Sequence, residues 1–515
     1  MIHVSSALGV VAVPARPDIA NLFPHATRMT VHGQDFIALP HDIDETRVLR
    51  TLGLDVPAPV LSQYRWPGER PPFEVQKKTV AMLTTNPRAY VLNGMGTGKT
   101  RSALWAWDYL SGKGHAGKLL VVAPLSTLTF TWAKEIFEVL PHHKVSVLYG
   151  TKERRLKRLA DPDADIFVVN HDGVSTILDE LMKRGDIDTL IIDELATYRN
   201  GSATRTKVMR KLAAKMKWVW GLTGSPTPNE PTDAWAQASI ITPDTTPKYM
   251  TRFRDQVMVR LTQFKWAPKR DSTEAVFRLM QPAVRFTLDD VVELPDLIER
   301  TIDVDLGPKQ RAVYEKMKAS AYAAIAAQEV TAQNAGAVLN KLLQISAGWV
   351  YASDGSVITL DGDLRLDAIC DAVQSTEAKV LTFVPFVHAL NGIAERLTKE
   401  GNDVRVVSGA TAKGERDETF RLFQCTDRAR VLVAHPQCMA HGLTLTAADT
   451  IIWAAPTTSL ELFEQANARI RRIGQRKKQQ VLMIQSTDAE RRMYSRLRAK
   501  QKVQNLLLDM FAENT

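Results

Sequence analysis

Two separate runs of short, almost uninterrupted apolar segments limit the fold of this chain more tightly than any other feature. The first run is AYVLN (89–93), KLLVVAP (118–124), DIFVVN (165–170), DTLIID (188–193) and WVWGLTG (218–224). The second is KVLTFV (379–384), DVRVVSG (403–409), RVLVAH (430–435), DTIIWAAP (449–456) and QVLMIQS (480–486). Helical stretches separate the segments in both runs. A strand that is apolar throughout must be covered on both faces, and a helix between successive strands supplies the crossover. Each run therefore predicts a parallel sheet with helices on both sides. The expected fold class is α/β, with two tandem lobes. A length of 515 residues agrees, since it exceeds what one core usually serves.

The rest of the chain is apportioned around these runs. Residues 1–70 form a small N-terminal accessory region. In it MTVHGQDFIALPH suggests a hairpin around His32-Gly33, and DETRVLRTLGL a short helix ending at Gly53. An independent module and an extension packed on the first lobe both suit this region. VPAPVLSQYRWPGERPP is proline-rich and suits a linker. The first lobe is expected over 71–290, with a helical, basic insertion late in it. The second is expected over 291–486, with a helical insertion of its own. Thr487 and Glu490 form a capping box that opens a C-terminal helix over 487–515.

Composition excludes several classes. No apolar run spans a bilayer, and the N-terminus lacks the basic flank of a signal peptide. Cys370, Cys425 and Cys438 form no CxxC pair, which argues against a zinc or disulfide framework and suits a reducing cytoplasm. A net charge of +9 is compatible with a polyanionic partner.

Asn93–Thr100 reads NGMGTGKT between an apolar segment and a helical one. Polyphosphate needs converging backbone N–H groups, hence glycines and a helix N-terminus. Gly94, Met95, Gly96, Thr97 and Gly98 form the expected cradle for ATP, Lys99 reaches the β- and γ-phosphates, and Thr100 holds Mg²⁺. The strict pattern has glycine where this chain has Asn93, and asparagine tolerates unusual backbone angles. Asp193 ends an apolar segment and is the second expected Mg²⁺ ligand, while Glu194 is the expected general base toward water. In LTGSPTPN (222–229), Thr223 and Ser225 can sense the γ-phosphate. In QANARIRRIGQ (465–475), Arg469 and Arg472 are spaced three apart, so on a helix both lie on one face. They are the candidate arginine fingers, and their place in the second lobe suggests an ATP-driven motor.

These segments, in this order, resemble those of SNF2-like superfamily 2 helicases and translocases, from about Pro72 to Gln475, particularly compact bacterial or bacteriophage members. NGMGTGKT resembles motif I, VVAPLSTLTFTWAKEI (121–136) motif Ia, and VVNHDGV (168–174) the next DNA-contacting element. IIDELATYRN resembles motif II, with DELA in place of DEAH or DESH, and LTGSPTPN resembles motif III. KVLTFVPF resembles motif IV, SGATAKGERDETFRLFQ (408–424) the next signature, HGLTLTAAD motif V with Thr444 where asparagine is usual, and QANARIRRIGQ motif VI. MQPAVRFTLDDVVELP (280–295) resembles the passage into the second lobe.

The resemblance implies two RecA-like lobes, with Gln76 reading adenine, Gln465 contacting the nucleotide, and ATP-dependent translocation on duplex or branched DNA. Implied DNA contacts are Ser126, Thr127, Asn170, Gly442 and Thr444, all toward phosphate, since a motor steps on any sequence. Lys248, Arg252, Arg254, Lys265, Lys269 and Arg270 could add grip or simply be solvated. KERRLKR (152–158) is expected to be a solvated face, and Trp105, Trp107 and Trp453 to be core. The expected activity is remodelling of DNA by branch migration, strand annealing or protein displacement, by a monomer in a bacterial or phage-infected cytoplasm, near the nucleoid. A strand-separating DNA or RNA helicase and an ATP-gated DNA clamp that recruits partners are the alternatives.

Overall fold

The computed structural model describes residues 2–24, 26–31, 33–262, 266–291, 295–326, 332–351, 356–439, 444–472 and 475–499. Two compact units divide the chain between Val291 and Val292.

The first unit opens with an antiparallel sheet of β1 (His3–Ser5), β2 (Val10–Pro14), β3 (Thr27–Val31) and β4 (Gln34–Pro40), ordered β1-β2-β4-β3. β3 and β4 form the expected hairpin, with Val31 opposite Gln34. The expected helix is Ile43–Thr51, and Gly53 adopts a φ of +81° just beyond it. Val11, Val13, Ile19, Ile37, Leu39, Leu49 and Val56 give this region a core of its own. The following segment is not a loose linker. Ala58 and Val60 are buried in the core of the first parallel sheet, and Trp105 Nε1 donates to the Pro67 carbonyl at 3.0 Å. Its apolar residues outweigh its prolines, because burying them is favourable.

The main sheet of this unit comprises β5 (Arg88–Val91), β6 (Lys118–Ala123), β7 (Val145–Leu148), β8 (Ile166–Asn170), β9 (Ile187–Asp193) and β10 (Trp218–Leu222). A small antiparallel pair, β11 (Met258–Arg260) and β12 (Trp266–Pro268), lies apart from it, and β13 (Ala283–Val284) completes the main sheet. The order is β13-β5-β10-β9-β6-β8-β7, parallel throughout. Apolar layers cover both faces, one including Trp105, Trp107, Trp132 and Trp220, the other Phe167, Tyr198 and Phe253.

In the second unit β14 (Leu297–Asp303) begins the sheet and β15 (Trp349–Tyr351) pairs antiparallel with β16 (Val357–Thr359). β17 (Lys379–Phe383), β18 (Val404–Val407), β19 (Val431–Ala434), β20 (Ala448–Trp453) and β21 (Gln479–Gln485) follow. The order is β14-β21-β20-β17-β19-β18, again parallel throughout. The helical insertion appears as Pro308–Ala326 and Ala332–Ser346. A helix over 488–499 follows β21; the remainder of the expected C-terminal helix, 500–515, lies outside the described residues. It is capped as expected, Glu490 N–H donating to Thr487 Oγ1 at 3.4 Å and Thr487 N–H to Glu490 Oε2 at 3.3 Å. A buried ion pair, Arg365 Nη2 to Glu490 Oε2 at 2.8 Å, anchors it. Both units are thus α/β lobes of the RecA-like kind. No helix among the described residues is long and apolar enough to cross a membrane.

Candidate active site

Three neighbouring strands of the first sheet, β5, β10 and β9, each deliver a candidate site element at their carboxyl ends. That end of an open parallel sheet is where ligands bind. After β5 the chain turns through Gly96 and Gly98, with φ of +82° and +83°, into the helix Lys99–Gly112. Only glycine adopts that backbone without strain. A Cβ at Gly98 would lie 2.1 Å from Gln76 Nε2, so the Gln76 amide would have to move to admit one. Gln76 is buried on the first turn of Glu74–Thr85. Its Oε1 accepts from Phe73 N–H at 3.0 Å and its Nε2 donates to the Thr97 carbonyl at 3.4 Å.

Lys99 Nζ donates to the carbonyls of Asn93 and Gly94 at 2.8 and 3.1 Å, and Thr97 Oγ1 to Gly94 at 2.8 Å. Met95 and Thr100 are half-buried, Thr100 on the helix's first turn. Asn93 stands where glycine was expected, but its φ is not positive. It contributes through its side chain instead. Asn93 Nδ2 donates to Thr79 Oγ1 at 3.0 Å, and Asn93 Oδ1 accepts from Phe286 N–H at 2.9 Å. Gly94 N–H donates to the Phe286 carbonyl at 2.7 Å. The segment after β13 therefore braces the cradle.

Asp193, the last residue of β9, is held by Trp132 Nε1 at 2.9 Å on Oδ2 and by Glu194 N–H at 3.0 Å on Oδ1. Burial pushes its carboxyl up from the ordinary range, while the Trp132 bond and the Lys99 charge pull it back. Glu194 sits in the left-handed region at φ +50°, ψ +53°. A glutamate there costs about 1–3 kcal/mol and is found where a site demands it. Thr223 is buried; its N–H donates to the Val91 carbonyl at 3.0 Å and its Oγ1 accepts from Ser225 N–H at 3.2 Å, tying the loop after β10 to β5.

In the second unit the helix bearing Gln465 is Leu460–Asn467, and it ends before both arginines. Arg469 lies on a turn and Arg472 on a bend, not on one helical face as expected. The side chains explain the stop. Arg469 Nε donates to the Gln465 carbonyl at 2.7 Å, taking the acceptor that a continued helix would offer to the Arg469 N–H. The Arg469 carbonyl accepts instead from Leu445 N–H at 3.0 Å. Arg472 Nε repeats the pattern on Ala468 at 3.2 Å, and its Nη1 donates to Thr444 Oγ1 at 3.1 Å. Arg469 is 1% exposed. Desolvation lowers Arg472, to about 10, which leaves it charged at neutral pH. Gln465 is buried, with Nε2 3.5 Å from Glu461 Oε1. Gln475 is a clamp, its Nε2 donating to Ala448 at 2.8 Å and its Oε1 accepting from Lys477 N–H at 3.1 Å.

The candidate DNA contacts are varied in setting. Ser126 is exposed, whereas Thr127 is buried with its hydroxyl on the Pro124 carbonyl at 2.9 Å. Asn170 Oδ1 accepts from Arg155 Nη1 at 2.9 Å. Arg155 departs from the expected solvated face: it is buried and also donates to the Leu148 and Gly150 carbonyls at 2.7 and 2.9 Å. Thr444 is exposed; Gly442 lies outside the described residues, as do Lys265 and Gly474. Lys248, Arg252 and Arg270 are exposed, Arg254 stacks over the Trp266 ring at 4.2 Å, and Lys269 Nζ donates to the Asp255 carbonyl at 2.6 Å. Trp105, Trp107 and Trp453 are core, as expected. Two contributors to the site were missed: Trp132, visible in sequence only as a family-like tryptophan, and the Phe286 backbone, which carries no sequence signal.

Known proteins resemble this chain over most of its length. A family model described as SNF2-related domain matches residues 76–349, more than half of the chain, and one described as helicase conserved C-terminal domain matches 364–474. A protein designated p41 from Acyrthosiphon pisum secondary endosymbiont phage 1 is 28% identical, covering 78% of this chain and 88% of its own. An uncharacterized ATP-dependent helicase of Mycoplasma genitalium is 24% identical over 76% of this chain, which spans only 37% of that protein's length. A solved SWI2/SNF2 ATPase core of Sulfolobus solfataricus, in complex with dsDNA, is 21% identical, covers 87% of this chain and 95% of its own, and has a TM-score of 0.42.

Proposed function

The chain belongs to the SNF2-related family of ATP-dependent enzymes, and we propose that it is a DNA-stimulated ATPase that translocates on duplex or branched DNA and remodels it. The observation that carries this reading is the convergence of Lys99, Asp193 and Thr223 at the carboxyl ends of three neighbouring strands, with Lys99 close enough to influence the Asp193 carboxyl. A cation on a glycine loop beside a strand-end carboxylate suits a nucleoside triphosphate with its metal.

Thr100 and Asp193 offer hard oxygen donors, which suit Mg²⁺. When bound, that ion neutralises charge on the β- and γ-phosphates. In the proposed reaction the cradle N–H groups and Lys99 hold and orient the triphosphate. Gln76 faces the adenine, and Glu194 takes the proton of the attacking water. Arg469 and Arg472 stabilise charge on the transferred phosphoryl group. Ser126, Thr127, Asn170, Gly442 and Thr444 lie on the segments proposed to follow DNA phosphates, and the surplus of positive charge favours such a track.

The test compares ATP turnover with duplex, single-stranded and forked DNA and with RNA, alongside displacement of a triplex-forming strand. Duplex or forked DNA should stimulate turnover most, the third strand should be dislodged only with ATP, and Glu194→Gln should abolish both. Stimulation by RNA alone, or duplex-stimulated turnover without displacement, would overturn the translocase reading in favour of an RNA helicase or a static clamp.

A further inference from the structure

Away from the nucleotide site, Tyr64, His142 and His143 gather around the Asp108 carboxylate, and Asp165 joins them through His143. Asp108 lies on the helix Lys99–Gly112, nine residues beyond Lys99 and so roughly 13 Å along the helix axis. His142 Nε2 and His143 Nε2 approach Asp108 Oδ1 at 2.9 and 2.8 Å. The other oxygen, Asp108 Oδ2, accepts from Tyr64 OH at 2.5 Å. On the far side of its ring, His143 Nδ1 lies 3.3 Å from Asp165 Oδ2. The three inward-facing atoms, one from each of Asp108, His142 and His143, all lie within 4.8 Å of one another.

We propose that Asp108, His142 and His143 bind a divalent transition-metal ion of the zinc class, with Asp165 and Tyr64 as positioning residues. Two imidazole nitrogens and one carboxylate oxygen are a donor set that suits zinc and is poorly suited to magnesium. Bonds of about 2.0–2.1 Å to a tetrahedral ion put its ligands about 3.3 Å apart. The two imidazole–carboxylate distances need to open by only about half an ångström to reach this. The surrounding bonds are those of a built site. A ligating histidine donates its other ring N–H to a carboxylate, which fixes tautomer and ring orientation, and Asp165 stands where His143 requires it. Tyr64 occupies the second oxygen of Asp108 and leaves the first to the ion. Trp107 packs its ring 4.6 Å from that of His143, limiting rotation. The His142 side chain is 52% exposed, so water has access to the remaining coordination position.

Such an ion would tie the helix that starts at the phosphate cradle to the loop before β7. Through Tyr64 it would also tie in the segment that follows the N-terminal sheet. Its expected role is to stiffen the first unit without touching the nucleotide.

The full-length protein, stripped of metal with a chelator, is titrated with Co²⁺ by absorption and with Zn²⁺ by calorimetry, in excess Mg²⁺. One equivalent should bind, Zn²⁺ should raise the melting temperature, and ATP turnover should change less than two-fold. His142→Ala, an exposed change that should fold normally, and His143→Ala should each weaken Co²⁺ binding more than ten-fold and remove the Zn²⁺-induced rise in melting temperature. Asp165→Asn should weaken binding about ten-fold, as loss of an outer hydrogen bond to a ligand does. Absence of a one-equivalent Co²⁺ or Zn²⁺ site overturns the proposal and leaves a purely hydrogen-bonded brace. Binding that survives both histidine changes overturns it equally, by placing the metal elsewhere.

Discussion

The phosphate cradle of the first unit and the arginine turn of the second both tie a cation to backbone carbonyls, in opposite settings. Lys99 is half-buried at the start of a helix, and the carbonyls it meets belong to a glycine turn whose shape is set by positive φ. Arg469 is 1% exposed at the end of a helix, and the carbonyl it meets is one that the helix itself would otherwise use. In the proposed reaction the lysine exchanges these carbonyls for phosphate, which should leave the glycine turn intact. The arginine closes a helix end, so its proposed role toward phosphate and its role in the turn are inseparable. A cation proposed to act on phosphate can be one that the fold does not need or one that it does.

That contrast is most exposed at Arg469. Arg469→Ala should lower ATP turnover roughly 10³-fold or more, as loss of an arginine finger does. It should also destabilise the protein by about 1–3 kcal/mol, because a buried carbonyl loses its charged donor. Steady-state turnover and a urea melt read the two effects together. Lys99→Ala should lower turnover roughly 10²- to 10³-fold, with a melting curve close to that of the parent. A large loss of stability in Lys99→Ala, or none in Arg469→Ala, would erase the distinction between the two sites. The smallest expected effect is at Asn93. Asn93→Gly restores the strict glycine pattern but removes the bonds to Thr79 and Phe286. It should cost about 1–2 kcal/mol in a thermal or urea melt, with turnover largely kept. A more stable glycine variant would show that the side-chain brace does not support the cradle.

The central strands of both sheets were legible, and of the four edge strands only β18 was. Each apolar segment of the two runs became a strand. The strands of these two sheets that escaped, β7, β13 and β14, are each outermost in their sheet among the described residues. β14 illustrates why: LIERTID is largely exposed and carries Glu299 and Arg300, so it lacks the apolar continuity that burial on both faces imposes. The candidate site divides in the same way. Gly96, Gly98, Lys99 and Asp193 were legible because turn geometry and strand ends are local matters. The non-helical conformation of Arg469 and Arg472 was not, since three-residue spacing suggests a helix until the side chains take the carbonyls.

The amino-acid sequence alone determined that there would be two parallel α/β lobes, a glycine cradle with its lysine, and a carboxylate at the end of a strand. These follow from apolar periodicity and from the steric freedom of glycine, which act among neighbouring residues. Tertiary structure alone decided that Asn93 would meet Thr79 and Phe286, that Trp132 would hold Asp193, and that Asp108, His142, His143 and Asp165 would converge. A hydrogen bond between segments far apart in the chain forms only after packing has brought them within about 3 Å, a condition no local pattern encodes.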